Sequence, residues 1–212
     1  MMPEMDGMEF LNNIRKNPNT SHILFLLLTA KTTDDDIIGG YESGTDEYIT
    51  KPFSVSYLQA RIKNLIKRRK NIQEFYRKSS RSHLSSTEID IQADLTADSI
   101  INDHDSEFVK ATTDFIIQNR SNFDYVVEDI ANEMNMSRTV FYKKLKGLTG
   151  FSPVEFKRDI LLEEAAKLLL TKKHTVKEVS YMVGFSDAKY FTKCFKIKYE
   201  MTPSEYMRKG KV

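Results

Sequence analysis

The chain has 212 residues, with 32 Lys and Arg against 30 Asp and Glu, so length allows one large or two small domains and net charge names no partner. A single cysteine, Cys194, excludes a disulfide framework or a cysteine-rich zinc site. The longest apolar run, Ile23–Leu28, is far too short to cross a bilayer, so a cytoplasmic protein without membrane contact is expected. Charge is distributed unevenly: Glu107–Val212 carries a net of +5 and Met1–Ser106 a net of −3, which hints at an anionic partner for the second part.

Residues Met1–Lys70 alternate helix and strand signals. Gly7–Arg15 reads as a short amphipathic helix. Ile23–Leu28 (ILFLLL) is apolar on both faces, as a parallel strand buried between helix layers is. Thr33–Ser43 reads as a helix, with Asp34, Asp35 and Asp36 in its first turn favouring the dipole rather than forming a metal site. Tyr48–Thr50 is a short strand. Ser54 then caps a helix whose stripe runs Val55, Leu58, Ile62, Leu65, Arg69, Ile72 and Tyr76. That stripe predicts packing on the chain's own sheet followed by fraying, with a coiled-coil seam between two copies as the alternative. The basic run Lys67–Lys70 is expected to be solvated surface. Together these elements form the second half of a βα-alternating domain.

Ser79–Ser106 is rich in serine and acids and offers little apolar surface to offset chain entropy, so a linker is expected over residues 79–104. Order resumes at Asp105, with a helix to Asn119 and Phe108, Val109, Phe115 and Ile116 inward.

Two later stretches repeat each other, Val126–Phe156 and Val176–Tyr206. Phe141 answers Phe191, Leu145 answers Phe195, Pro153 answers Pro203 and Phe156 answers Tyr206, each pair fifty positions apart; upstream the offset is one shorter, so Asn135 answers Gly184. In each unit a support helix (Val127, Ile130, Ala131, Met134; then Val176, Val179, Val183) meets a sharp turn at Asn135 or Gly184. Ser137 or Asp187 then caps a second helix. Its inner face is Phe141, Leu145 and Leu148, or Phe191 and Phe195. The outer face shows Arg138, Thr139, Tyr142, Lys143 and Lys146, or Lys189, Thr192, Lys193 and Lys196. One outward lysine row is commonly just solvated. Two of them on duplicated turns point to helices built for the DNA major groove. Between the units, Pro153–Leu170 carries apolar residues around its later part (Leu161, Leu162, Ala165, Ala166, Leu168, Leu169, Leu170), so burial from several sides is expected. At about 1.5 Å per residue it makes a rod of roughly 27 Å, against about 34 Å between successive major-groove faces.

Residues from about Glu107 to Arg208 resemble the DNA-binding domain of AraC/XylS-type transcription regulators. The resemblance rests on Ile130-Ala131, Ser137, Gly150, Pro153, Ala165-Ala166, Leu168-Leu169, Gly184-Phe185-Ser186-Asp187, Tyr190-Phe191, Phe195-Lys196 and Thr202-Pro203. It implies base contacts from Thr139, Tyr142 and Lys143 in the first unit and from Ala188, Lys189 and Lys193 in the second. Glu200, where the family has Gly, and Leu161, where it has Arg, depart from the pattern. The N-terminal part resembles a response-regulator receiver, from Met2-Pro3 and Met5-Asp6-Gly7 through Thr29-Ala30 to Tyr48-Ile49-Thr50-Lys51-Pro52-Phe53. This implies that Thr29 binds a phosphoryl group, Lys51 neutralises it and Tyr48 reports the switch. The acceptor Asp of that family would fall ahead of Met1, so residues 1–78 are expected to be only the second half of a receiver, unable to accept phosphate and less stable than residues 105–212.

The expected fold is therefore mixed: half of a flavodoxin-like α/β receiver, a linker, and an all-α double helix-turn-helix domain. The expected function is sequence-specific transcription regulation as the output portion of a hybrid two-component phosphorelay. Double-stranded DNA is the main partner, with RNA polymerase and a second copy of the chain as further ones. The alternative is a dimerisation module with DNA binding secondary. His22, His83, His104 and His174 are scattered and no nucleophile motif, phosphate loop or zinc spacing appears, so neither an enzyme nor a cofactor or metal is expected.

Overall fold

The computed structural model describes residues 5–79, 103–122 and 125–209. Most of the expected linker lies outside them. In the N-terminal part, α1 (Gly7–Lys16) starts where Asp6 accepts from the amides of Met8 and Glu9 at 2.9 and 2.8 Å. Strands β1 (Leu26–Thr29) and β2 (Glu47–Thr50) pair in parallel, with Leu26 opposite Glu47 and Thr29 opposite Thr50. Between them α2 (Asp34–Glu42) is capped by Thr33. Arg15 ties the loops together: it donates to the carbonyls of Ser21, Ile23 and Gly44 and reaches the Asp46 carboxylate at 2.7 Å. A planar five-donor fork is the side chain suited to that many fixed acceptors.

The expectation for β1 needs amending. Leu27 is buried but Leu28 and the preceding Ile23 are exposed, because this strand has one neighbour instead of two among the described residues. The helix α3 (Val55–Ser79) also departs from its predicted stripe. It does not fray after the sheet but runs on for 25 residues, and Leu65 is buried while Val55 and Ile62 are 70% and 41% exposed. Its second half lies against the C-terminal part of the molecule.

That part is helical: α4 (Asp103–Gln118), α5 (Val127–Glu133), α6 (Arg138–Thr149), α7 (Pro153–Thr171), α8 (Val176–Met182), α9 (Ala188–Tyr199) and α10 (Pro203–Lys209). Helix α7 opens with a capping box, in which the Ser152 hydroxyl accepts from the Glu155 amide and the Glu155 carboxylate from the Ser152 amide, followed by Pro153 at the first helical position. Its residues Phe156, Ile160, Leu161, Leu162, Ala165, Ala166 and Leu169 are all buried, and α4, α6, α8 and α10 pack around it. Leu170, expected inward, is exposed, since the helix ends one residue later at Thr171 with its lower side already past the core.

Both turns adopt the left-handed backbone expected of them, with φ of 53° at Asn135 and 78° at Gly184. A second matched pair follows the second helix of each unit: Gly150 at 78° and Glu200 at 59°. Glu200 thus holds a conformation that costs a side-chain-bearing residue roughly 1–2 kcal/mol, which is the physical content of that departure from the family pattern.

Candidate nucleic-acid interface

Helices α6 and α9 carry the candidate reading residues, and each is built the same way. Ser137 accepts from Val140 N at 3.4 Å to start α6, and Asp187 accepts from Lys189 N at 2.7 Å to start α9. Phe141, Leu145 and Leu148 pin the inner side of α6. Phe191 and Phe195 pin α9, stacked with Tyr199 and Tyr206 in a run of aromatic contacts between 4.5 and 5.6 Å. With those sides fixed, Arg138, Thr139, Tyr142, Lys143 and Lys146 are exposed on α6, and Lys189, Lys193 and Lys196 on α9.

Three candidates have prior commitments. Arg138 lies 2.6 Å from Glu128 on the support helix. Lys146 donates to the Tyr142 hydroxyl at 3.2 Å and sits over that ring. Thr192 is half-buried and gives its hydroxyl proton to the Ala188 carbonyl at 2.8 Å. Both ion pair and lysine contact are solvent-exposed and weak enough to yield to a phosphate. Ala188 is half-buried at the start of α9. Beside it, Arg158 of α7 hydrogen-bonds Tyr190, a bond that raises the guanidinium's already high pKa.

Two lysines of these helices point inward. Lys198 reaches the Asp159 carboxylate at 2.8 Å and Glu163 at 3.1 Å, locking α9 to the spacer helix. Lys144 is 1% exposed; its ammonium lies 3.2 Å from Asp105 of α4, 2.8 Å from the Pro18 carbonyl and 3.0 Å from the Ser21 hydroxyl, and sits over the Phe108 ring. Sequence reasoning missed this junction. Its signal was faint: a lysine on the core side of a helix, in register with Cys194 of the second unit.

In the N-terminal part the three predicted switch residues come together. Thr29 and Lys51 end the two parallel strands, and the Lys51 amide donates to the Thr29 carbonyl at 2.7 Å. Tyr48 is buried and donates to the Lys31 carbonyl at 3.2 Å. Lys51 is exposed, and Asp34–Asp36 start α2 as expected, Asp36 pairing with Thr33 and Lys31. Among the described residues no cluster of three or more potential metal-binding side chains occurs, and no helix is long and apolar enough to cross a membrane.

Comparison with known proteins agrees with the two-part reading. A helix-turn-helix domain model matches residues 130–209, and a response regulator receiver domain model matches residues 1–63. Over 209 residues the chain is 37% identical to histidine kinase P4 of Formosa agariphila, covering 99% of this chain but only 14% of that protein. Over 70 residues it is 47% identical to the uncharacterized transcriptional regulatory protein YclJ of Bacillus subtilis, covering 33% of this chain and 30% of that one. Among solved structures, the C-terminal domain of AraT, a response regulator from Geobacillus stearothermophilus, is 27% identical with a TM-score of 0.44, covering 48% of this chain and 84% of the other. The chain carries a response-regulator receiver domain and an AraC-type helix-turn-helix domain.

Proposed function

We propose that this chain is the output portion of a hybrid two-component phosphorelay and regulates transcription by binding DNA sequence-specifically. The observation that carries the reading is the duplicated device: two capped helices with exposed basic faces, each following a left-handed turn and each packed onto one 19-residue rod. At about 1.5 Å per residue that rod is roughly 28 Å long, which suits readers in successive major grooves of one duplex. Lys143 and Lys193 are proposed to reach base edges with Thr139, Tyr142, Ala188 and Lys189. Arg138, Lys146, Thr192 and Lys196 are proposed to hold the phosphates, and RNA polymerase to be met on the bound promoter.

About six phosphate contacts give a log–log slope of binding against salt near −5. Fluorescence anisotropy with promoter fragments taken from around the chain's own gene tests this. Lys143→Ala and Lys193→Ala are expected to relax base preference, and Lys196→Ala to weaken all sequences alike. Binding that is indifferent to salt overturns the reading.

For the N-terminal domain we propose that Thr29, Lys51 and Tyr48 form the response side of a phosphoryl switch whose acceptor carboxylate these residues do not supply. Incubation of this chain with a small phosphodonor and magnesium is expected to leave its intact mass unchanged; a stable aspartyl adduct refutes it. The exposed Val55, Ile62 and Ile66 favour a second role in self-association. Sedimentation of the full chain tests that, and a monomer throughout the micromolar range removes it.

A further inference from the structure

The last four carbonyls of an α-helix have no amide of their own helix to accept from. At the end of α6 some of them are met by another domain. Along one stripe of α3, at intervals of four, Arg69 donates to the Gly147 carbonyl at 3.4 Å and Gln73 to the Gly147 and Lys146 carbonyls at 2.7 and 3.4 Å. Arg77 donates to the Gly150 carbonyl at 2.7 Å and lies over the Phe151 ring. Arg69 also donates to the His22 carbonyl at 2.6 Å, so the same residue fastens the loop that covers Lys144.

The local sequence is adapted to this approach. A β-carbon on Gly150 would sit 3.2 Å from the Gln73 Cβ and 3.3 Å from the Arg77 Nε, and one on Gly147 would sit 3.3 Å from the His22 ring. Fifty positions on, where α9 has no such cover, Gly147 is answered by Ile197, which is 71% exposed, and Gly150 by Glu200. The two units thus differ where the N-terminal domain touches one of them. Cations at a helix C-terminus also oppose the negative end of its dipole, so Arg69 and Arg77 stabilise α6 by charge as well as by hydrogen bonding.

We propose that Arg69, Gln73 and Arg77 are positioning residues for the first DNA-reading helix: the N-terminal domain supplies the C-terminal cap of α6 and so sets where Lys143 and Lys146 stand. The proposal rests on the DNA-binding reading above for its functional half, and on hydrogen-bond geometry alone for the cap.

A series at one site separates a cap from mere contact. In the full chain, Gln73→Lys keeps a donor and adds a cation, Gln73→Ala removes the donor, and Gln73→Glu aims an anion at the carbonyls. Amide hydrogen exchange of Leu148–Phe151 is expected to follow that order, slowest in wild type and Gln73→Lys and about tenfold faster in Gln73→Glu, with Phe195–Tyr199 unchanged. Footprinting is expected to lose protection at one half-site in Gln73→Glu, with recovery in Gln73→Lys. Equal exchange across the series overturns the proposal even if DNA binding is intact, and so does a loss shared equally by both half-sites. Ordered exchange in a protein that binds no duplex instead leaves the cap standing and removes the positioning role together with the DNA-binding reading.

Discussion

Replacing Lys144 by Met tests the buried junction most directly. The ammonium is surrounded by Asp105, the Ser21 hydroxyl and the Pro18 carbonyl, and both charged partners are nearly inaccessible, at 1% and 3% exposure. Methionine fills almost the same volume, so the loss is electrostatic rather than a cavity. It leaves the Asp105 carboxylate buried with only the Ser21 hydroxyl donating to it at 2.9 Å. Stranding one member of a buried pair costs about 3–5 kcal/mol, whereas replacing both is often close to neutral. Lys144→Met is therefore expected to destabilise the C-terminal domain by about 3–5 kcal/mol, and Lys144→Met with Asp105→Asn to recover most of that. Urea denaturation of the full chain, with exchange of the Phe141 and Leu145 amides as a local probe, measures both. A cost for Lys144→Met below about 1 kcal/mol, the range of solvent-exposed pairs, refutes the reasoning because it means water reaches the junction.

Other outcomes follow from the same geometry. Gly184→Ala places a β-carbon 2.3 Å from the Arg120 carbonyl oxygen, at a φ of 78°, so it is expected to cost well over the roughly 1 kcal/mol of the backbone strain alone and to lower the melting temperature sharply. Glu200→Gly relieves the left-handed strain in α9's exit and is expected to stabilise by up to about 1 kcal/mol, read as a rise in Tm. His22, set among Asp105, Lys144, Arg69 and Arg15, has its pKa lowered by burial, so the folded state holds it neutral while the unfolded chain takes up a proton. Stability at this junction is accordingly complete above the ordinary histidine pKa of about 6.5 and falls as pH drops below it; His22→Gln is expected to flatten that part of the pH–stability curve. Glu155, Glu178 and Glu205 are held below the usual carboxylate range by their capping bonds to Ser152, Thr175 and Thr202, so a second loss is expected only in more acidic solution, as these carboxylates protonate.

Much of the C-terminal fold is legible because its signals are local. The phenylalanines spaced fifty apart, the capping residues Ser137 and Asp187, and the turn residues Asn135 and Gly184 each act within a few positions of themselves, and each does what its chemistry dictates. Exposure of the candidate reading residues follows from the same periodicity. The failures are tertiary. Val55 and Ile62 share a helical stripe with Leu65, yet only Leu65 finds a partner surface among the described residues. Arg69 stood in that stripe as an oddity, a charged residue among apolar ones, and its meaning depended on carbonyls 78 residues away. Lys144 was unreadable for the same reason: its acceptors come from residues 18, 21 and 105.

The attachment at α6 also has a consequence for the operator. Because the N-terminal domain grips one unit and leaves the other bare, the molecule has a front and a back along its binding site, even though its two readers descend from one design. Inverting that site in a promoter would carry the attached domain to the opposite end, facing a different neighbour on the DNA. Regulation by such a chain should therefore depend on which way the operator is written, not only on how tightly it is held.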